Sequence, residues 1–298
     1  MDGIVALWKP KGFTSHDCVS KARGMFKTKK IGHTGTLDPD VEGVLPLCVG
    51  KATKIVPFLT NTEKVYEAEI TLGIATETED ASGEHICKKA VTSQLSNQEI
   101  KEVLTSFTGT IKQVPPMYSA VKVDGKKLYE YAREGKEVPR PEREVEIHGI
   151  ELTSDGAILQ DGRAVFSFNV RCSKGTYIRT LCVDIGKALG YPAHMSHLVR
   201  TATGGITKEV CLRFSDVQKL VDEGTPEKAL LPISTGLSHL PSLTVDEQTK
   251  ALIKNGRVLE KEQGMPNSEF TVRCGEEVLA VYKTHPSKPD KIKPVRVF

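Results

Sequence analysis

The alternation of apolar and polar residues is clearest in the segment "KVYEAEITLG", which starts at Lys64. A period of two predicts a β-strand with one buried face. That face carries Tyr66, Ala68, Ile70 and Leu72. Apolar runs in "VLPLCVG", "REVEIHGIEL" and "VFSFNVRC" predict further strands. The run "GIVALW" near the N-terminus lacks a preceding basic region, so it predicts a buried strand rather than a signal peptide.

Other segments have the spacing of amphipathic helices. In "SNQEIKEVLTSF" four apolar residues fall on one helical face, and Ser96 is followed three residues later by Glu99, the pattern of a capping box. "TYIRTLCVDIGKALG" predicts a helix ended by Gly190, and "SHDCVSKARGMF" predicts one that starts near Ser15 or Asp17. "VKVDGKKLYEYA" predicts a strand, a tight Asp-Gly turn and a helix.

Strands and helices mix without a regular βαβ repeat. We therefore predict an α+β fold, with a mixed, mainly antiparallel sheet flanked by helices. A boundary is expected near "STGLSHLPSLTVDE", which gives a larger domain over residues 1–240 and a small, mostly-β domain over 241–298. A segment of this small size needs help from its neighbour to be stable.

The composition is that of a soluble globular protein. Of 298 residues, 39% are hydrophobic and 27% charged, which excludes a disordered chain. No apolar run approaches the roughly 18 residues that a membrane helix needs. The seven cysteines are scattered and form no CxxC pair, which predicts reduced, buried thiols in a cytoplasmic protein.

Charge is unevenly distributed along a chain whose net charge is only +3. "KARGMFKTKK" has five basic residues and no acid, the C-terminal segment is also basic, and "ETEDASGE" is acidic. Localised basic patches suit a polyanionic partner, and they are equally consistent with an ordinary solvated surface.

The stretch "GHTGTLDPDVEGVLP" is the first candidate for chemistry. Asp38 precedes Pro39, which keeps its backbone out of the helical region, and Gly32 and Gly35 permit sharp turns and close approach of another molecule. Such a frame can fix a carboxylate at the mouth of a cleft. Asp-Pro is also a common turn dipeptide, so the local sequence leaves both interpretations open.

Several other kinds of site lack the motif they require. His33 and Asp38 have no third ligand close in sequence and no Cys/His cluster exists, so no metal site is expected. No GxxxxGK[ST] phosphate loop occurs. A Ser/His/Asp triad stays open, although no GxSxG elbow supports it.

Two further segments combine charge with apolar or aromatic residues. Arg179 lies among apolar neighbours in "RCSKGTYIRTL", and a buried guanidinium needs a partner such as Asp38, although a structural ion pair or an exposed arginine fits equally well. "QVPPMYSAVKVDGKKLYEYAR" interleaves tyrosines with basic residues, which suits either a nucleic-acid surface or partly buried packing.

Six segments together resemble the TruB family of tRNA pseudouridine synthases, in that family's order and over residues 3 to about 206. The most specific is the block "GHTGTLDP". The others are "GIVALWKPKGFTSHD", "KVYEAEITLG", "VPPMYSAVKVDGKKLYEYAR", "CSKGTYIRTLCVDIG" and "HMSHLVRTATGG". The C-terminal segment resembles, by position and a weak pattern, an RNA-binding appendage of the PUA type.

This resemblance implies an enzyme that converts uridine 55 in the T loop of tRNA to pseudouridine. The glycosidic N–C bond is broken and the base is rejoined through carbon, after the base has been flipped out of the loop. The resemblance implies no cofactor, no metal, no membrane and no protein partner, and a monomer is expected.

The matching motifs also imply roles for single residues. Asp38 is the expected catalytic aspartate, Tyr66 the tyrosine that packs on the target base, and Arg179 the arginine paired with the aspartate. His33 is expected to fill the space that the flipped base leaves. The remaining residues expected to bind the substrate RNA are Lys9, Pro10, Gly35, Thr36 and Leu198.

Two other functions stay open at this point. The chain could be a non-catalytic protein that binds or folds tRNA on the same scaffold, although a pure binder does not need Asp38, Tyr66 and Arg179 together. It could also be a hydrolase that uses Asp38 and His33, which requires a small-molecule pocket.

Overall fold

The structure is a computed structural model that describes all residues from 1 to 298. Its α-helices are α1 (Ser15–Met25), α2 (Val56–Thr60), α3 (Asn97–Ser106), α4 (Leu128–Arg133), α5 (Ile178–Ala188), α6 (Phe214–Asp222) and α7 (Glu247–Lys254). The strands in the first part of the chain are β1 (Gly3–Lys9), β2 (Ile31–His33), β3 (Glu42–Val49), β4 (Lys64–Leu72), β5 (Ile74–Thr76), β6 (His85–Lys88), β7 (Gly109–Gln113), β8 (Lys122–Val123), β9 (Lys126–Lys127) and β10 (Arg143–Leu152). The remaining strands are β11 (Ile158–Gln160), β12 (Arg163–Cys172), β13 (Ala193–Thr203), β14 (Ile206–Thr207), β15 (Ser242–Thr244), β16 (Leu259–Glu260), β17 (Phe270–Cys274), β18 (Glu277–His285) and β19 (Lys288–Val297).

The chain divides into two compact units. The terminal unit comprises Met1–Thr62 and Ala202–Phe298, and the central unit comprises Glu63–Thr201. The division into a catalytic domain over 1–240 and a PUA-like domain over 241–298 stays a prediction.

In the terminal unit, strand β1 is buried on both faces. It pairs antiparallel with β3, from Gly3 opposite Val49 to Lys9 opposite Gly43, and β2 also pairs antiparallel with β3. One face of β1 packs into a cluster with α1, and the other packs into a second cluster with α2 and the C-terminal strands. This double burial explains why "GIVALW" is continuously apolar and confirms that it is a strand.

The C-terminal strands form a five-stranded sheet in the order β15-β17-β18-β19-β16. β15 pairs parallel with β17, and the other neighbours are antiparallel. Phe270, Tyr282 and Ile292 form its own core, while Val281 of β18 joins the cluster that contains Ile4 of β1. The predicted small, mostly-β region is confirmed, and its packing on β1 supplies the support that so short a segment needs.

The central unit is built on a sheet in the order β13-β4-β12-β10-β7, with β11 paired to β12. β4 and β12 pair antiparallel from Lys64 opposite Cys172 to Leu72 opposite Ala164. Ala68, Ile70 and Leu72 of β4 are buried, as the alternation predicts. The α+β fold with a mainly antiparallel sheet is confirmed.

The local signals for turns and caps are also confirmed. Ser96 and Glu99 form the predicted capping box of α3. The Asp124–Gly125 turn joins β8 to β9, with both residues at positive φ, and Gly190 follows α5 at a φ of 82°. Helix α1 begins at Ser15, but its cap is Thr14, whose hydroxyl accepts from the Asp17 backbone N–H.

Seven free thiols are present, and three depart from the prediction of burial, since Cys87 is exposed and Cys211 and Cys274 are half-buried. Cys18, Cys48, Cys172 and Cys182 are buried, and burial raises the pKa of the Cys172 thiol to about 11. Cys87 is exposed because β5 and β6 form a separate two-stranded ribbon and every residue of β6 is exposed.

None of the helices is long and apolar enough to cross a membrane.

Two helical glycines give a matched test of the packing between α5 and β13. A Cβ on Gly186 would lie 2.2 Å from the Ala193 Cβ, whereas a Cβ on Gly24 of α1 would meet nothing within 4 Å. We expect Gly24→Ala to raise the free energy of unfolding by ~0.5–1 kcal/mol through helix propensity. We expect Gly186→Ala to lower it by ~1–3 kcal/mol through overpacking. Urea unfolding measures both, and equal stabilisation by the two substitutions would contradict the packing seen here.

Candidate active site

Asp38 lies in the loop over residues 34–41, between β2 and β3, which we call the Asp38 loop. Leu37 and Val41 are buried, with 5% and 3% of their surface exposed, while Asp38 itself is half-buried. The Val41 N–H donates to the Asp38 carbonyl at 3.1 Å. Two apolar anchors therefore hold the ends of a short turn, and the aspartate lies between them.

Lys9, at the end of β1, fixes one side of this loop. Its side chain has no exposed surface, and its ammonium donates to the carbonyls of Val41 at 2.6 Å, Pro39 at 3.1 Å and Pro10 at 3.2 Å. Burying an ammonium costs free energy unless hydrogen bonds compensate it, and these carbonyls do so. The Lys9 ammonium is thus engaged in holding the loop, and the expected contact of this residue with RNA stays a prediction. Pro10 is half-buried.

The other side of the loop is held by the start of α1 and the turn before it. The Leu37 N–H donates to the Ser15 hydroxyl at 2.9 Å, and the Gly12 N–H donates to the Pro39 carbonyl at 2.9 Å. Ser15 is available for this bond because Thr14 caps the helix. The backbone on both sides of Asp38 is therefore fixed by buried groups.

His33 and Gly35 interact locally at the start of the loop. The Gly35 N–H donates to His33 Nδ1 at 3.3 Å, and Gly35 has a φ of 143°, a conformation that favours glycine. The bond requires Nδ1 to be unprotonated, so the neutral ring carries its proton on Nε2. The imidazole is half-buried and Thr36 is exposed.

Arg179 lies in the first turn of α5 in the central unit, as predicted. The Gln113 side chain positions Tyr177, the residue before the first residue of α5, since its Oε1 accepts from the Tyr177 N–H at 3.0 Å and its Nε2 donates to the Tyr177 carbonyl at 3.2 Å. Gln113 is buried at the end of β7. The start of α5 is thereby fixed to the sheet.

The Arg179 guanidinium is 6% exposed and holds two loops. It donates to the Thr78 carbonyl and to the Tyr118 carbonyl, each at 2.9 Å, and its Nη1 lies 3.7 Å from Asp80 Oδ2. The Tyr118 hydroxyl in turn donates to Glu77 at 2.9 Å. The acidic segment "ETEDASGE" therefore supplies contacts to Arg179 through Thr78 and Asp80, and to its partner Tyr118 through Glu77. The predicted pairing of Arg179 with Asp38 stays a prediction.

Asp80 is a residue of this site that the sequence reasoning missed. Its Oδ1 accepts from the Thr78 hydroxyl at 2.7 Å, the Ser82 N–H at 3.0 Å and the Ser82 hydroxyl at 2.6 Å. Its Oδ2 faces Arg179. The Asp-x-Ser spacing is typical of an Asx turn and was the available signal, although it says nothing about an arginine 99 positions away in the chain.

Tyr66 and Leu198 also belong to the central unit. Tyr66 lies on β4 opposite Val170 of β12 and is half-buried, so part of its ring is accessible. Leu198 lies on β13 and is 8% exposed. These placements leave the predicted roles of both residues as predictions.

Lys64 is a buried cation two positions before Tyr66 on the same face of β4. Its side chain is 6% exposed, and burial, with a smaller contribution from the Arg200 charge, lowers the pKa of its ammonium to about 8. A lysine in this range changes charge close to neutral pH, unlike an exposed one.

The aromatic and basic residues around α4 stack on one another. Lys127 and Arg133 lie 5.3 Å and 5.2 Å from the Tyr129 ring centre, and Lys126 lies 4.7 Å from that of Tyr131. Both rings are half-buried, so they combine the two expected features, partly buried packing and an accessible aromatic surface. The tyrosines pack, and they also hold cations in fixed positions at the surface.

No cluster of three or more His, Cys, Asp or Glu side chains is arranged to hold a metal ion.

Replacing Lys9 tests whether it fixes the Asp38 loop. Lys9→Met keeps most of the volume but leaves buried carbonyls without their donor, so we expect the free energy of unfolding to fall by ~1.5–3 kcal/mol. The exposed neighbour Lys11→Met is the control, with an expected change within about 0.5 kcal/mol. Urea unfolding distinguishes them. Equal effects of the two substitutions would contradict the assigned role.

Lys64 predicts a specific dependence of stability on pH. Between pH 8 and 10.5 the ammonium is neutral in the folded chain and protonated in the unfolded chain, because its pKa falls from 10.5 to about 8 on folding. The unfolded state then binds more protons, so this group makes stability rise with pH across that window. We expect the unfolding free energy of the wild type minus that of Lys64→Met to increase from pH 8 to 10.5. Parallel pH profiles would refute the burial of the charge.

Comparison with known sequences gives consistent matches along the chain. The model of the TruB family pseudouridylate synthase N-terminal domain matches residues 23–178, and that of the tRNA pseudouridylate synthase B C-terminal domain matches residues 179–238. A tRNA pseudouridine synthase B from Oceanobacillus iheyensis is 54% identical over all of this chain and 98% of its own length. Another from Bacillus anthracis is 51% identical over all of this chain and 97% of its own length.

Solved structures agree with the sequence matches. A chain from the crystal structure of a Cbf5-Nop10-Gar1 complex superimposes with a TM-score of 0.74 at 27% identity, covering 99% of this chain and 83% of that one. A chain from an archaeal box H/ACA sRNP Nop10-Cbf5 complex gives a TM-score of 0.72 at 25% identity, covering 99% of this chain and 85% of that one. With family models that match most of the sequence and relatives of this identity along its whole length, the chain belongs to the TruB family of pseudouridylate synthases.

Proposed function

We propose that this pseudouridine synthase acts on tRNA and isomerises uridine 55 of the T loop, with Asp38 as the catalytic carboxylate. The proposal rests on membership of the TruB family, on the names of its relatives and on the block "GHTGTLDP". The structural observation that carries it is the rigid Asp38 loop, in which buried groups fix the backbone on both sides of a partly exposed carboxylate. Fixing the backbone on both sides holds the carboxylate in a defined position, which catalysis requires.

The proposed reaction breaks the bond between N1 of the uracil and C1′ of the ribose and forms a bond from C5 to C1′. The proton lost from C5 is balanced by the proton that N1 gains, so neither redox chemistry nor an external leaving group is required. An ionised carboxylate can act by adding to the ribose or to the pyrimidine ring, or by removing a proton. We favour chemistry at the ribose.

Other residues have supporting roles in this proposal. Tyr66 offers a partly exposed ring on which the target base can stack, an interaction worth roughly 1–3 kcal/mol per base. His33, on the glycine-containing loop, fills the gap that the flipped base leaves and offsets part of the few kcal/mol that flipping costs. Arg179 supplies positive charge that favours an ionised catalytic carboxylate.

The surface around α4 supports an RNA substrate. Lys127 and Arg133 are held against the Tyr129 ring, so their charges are positioned in advance for phosphate groups, whereas the Lys126 ammonium also pairs with Glu134. Fixed cations lose less conformational entropy on binding than free lysines do. We propose that this surface contacts the T arm.

Replacing Asp38 tests the assignment against a matched neighbour. We expect Asp38→Asn to slow pseudouridine formation on a T-arm stem-loop by ~10,000-fold or more, because an amide neither adds to carbon nor removes a proton. The dissociation constant for the RNA should stay within about threefold, since the amide has nearly the same shape. The exposed loop residue Asp40→Asn should keep wild-type turnover.

Single-turnover conversion and RNA binding are measured for all three proteins. Turnover by Asp38→Asn at the rate of Asp40→Asn would refute the catalytic role. A wild-type protein that binds the stem-loop but forms no pseudouridine would instead support a non-catalytic tRNA-binding or tRNA-folding protein.

A further inference from the structure

Glu79 combines two unfavourable features at one position of the central unit. It is a non-glycine residue with a φ of 63°, in the left-handed region that side chains rarely adopt. The residue is also half-buried, and desolvation of its carboxylate raises its pKa. A residue that is both strained and desolvated persists only where its surroundings fix it, and such residues concentrate at functional sites.

Three bonds fix Glu79. Its N–H donates to the Thr76 carbonyl at 3.2 Å, and its carbonyl accepts from the Met195 N–H of β13 at 3.0 Å. Its side-chain Oε2 accepts from the Thr180 hydroxyl of α5 at 2.7 Å. The residue therefore ties its loop to a strand through the backbone and to a helix through the side chain.

The neighbours of Glu79 on both sides hold the arginine of the proposed site. The Thr78 carbonyl accepts from Arg179, and Asp80 lies 3.7 Å from the same guanidinium. Thr180 follows Arg179 directly on α5. Three consecutive loop residues are thus joined to two consecutive helix residues, and the Glu79–Thr180 bond is the middle connection.

The charges around Glu79 favour this arrangement only in part. Arg179 and Arg140 stabilise its carboxylate, whereas Asp184 of α5 destabilises it, and desolvation outweighs them all. The Thr180 hydroxyl is accordingly the main direct compensation for the buried carboxylate. A neutral side chain would avoid these costs, so stability alone does not account for a glutamate here.

We propose that Glu79 is a positioning residue for the pseudouridine synthase reaction: its bond to Thr180 sets the register between the loop over residues 77–84 and α5, and thereby orients Arg179. This inference rests on the proposed function of the site. In this proposal Glu79 acts through Arg179 and not directly on the substrate. Removing its carboxylate releases the loop that supplies the Thr78 carbonyl and Asp80, and a shift of about 1 Å in a catalytic group can cost on the order of 100-fold in rate.

The test separates the rate of chemistry from RNA binding. Glu79→Ala and Thr180→Val should each slow single-turnover pseudouridine formation at saturating T-arm RNA by ~10–100-fold, while the dissociation constant for that RNA changes less than about twofold. Glu79→Gln and Thr180→Ser keep an acceptor and a donor, so both should stay within about threefold of the wild type. The double variant Glu79→Ala/Thr180→Val should be no slower than either single variant, because both remove the same bond.

A second carboxylate–hydroxyl bond in the same unit provides the matched control. Glu69 on β4 accepts from the Ser196 hydroxyl at 2.7 Å, with no bond to Arg179 or its partners. Glu69→Ala should therefore leave the rate of chemistry unchanged. Thermal melting of every variant verifies that it is folded, and Thr180→Val carries the test if Glu79→Ala does not fold.

Different outcomes overturn different claims. Wild-type rates in folded Glu79→Ala or Thr180→Val would overturn this inference alone. So would additive losses in the double variant, or an equal slowing by Glu69→Ala, which would indicate a general loss of stability. A wild-type enzyme without pseudouridine synthase activity would overturn the proposed function, and this inference with it, before any variant is compared.

Discussion

The buried ammonium of Lys9 is the interaction on which the candidate site depends most. A charged group with no exposed surface must have its donors satisfied, and here the acceptors are backbone carbonyls of the Asp38 loop and of Pro10. Because the acceptors belong to the main chain, the ammonium fixes the path of the loop itself. The loop contains glycine and would otherwise lose much conformational entropy on ordering. A single cation thus converts a flexible sequence into a defined turn.

Arg179 follows the same principle in the central unit. Two of its bonds go to main-chain carbonyls, those of Thr78 and Tyr118, and its ion pair with Asp80 is longer than either. The guanidinium has a planar set of donors and can bind both loops at once, which an ammonium at this position could not do with the same geometry. Its burial makes each bond stronger, since water does not compete for the carbonyls.

The sequence predicted the elements better than the bonds that position the site. Alternation along β4, the capping box of α3 and the glycine after α5 are local patterns, and each describes backbone geometry within a few residues. The resemblance to the TruB family pointed to Asp38 through the contiguous sequence motif "GHTGTLDP". The bonds by which Lys9 holds the loop were not predicted, because an acceptor that belongs to the main chain leaves no trace in the sequence. A lysine next to proline reads equally well as a surface contact and as a buried anchor. Asp80 was missed for a related reason, since its partner is distant in the chain and its own neighbours explain it as a turn.

The two buried cations also bear on how the enzyme can use binding energy. Each one holds its loop through bonds within its own unit, so the order of the Asp38 loop and that of the Arg179 contacts are both established by folding. In the proposed reaction, binding energy from the RNA is then not consumed in ordering these loops and is available to flip out the target base. Such flipping costs a few kcal/mol in lost stacking and pairing. Strain and desolvation at Glu79 fit this scheme, because their free-energy cost is met once, during folding, rather than in every catalytic cycle.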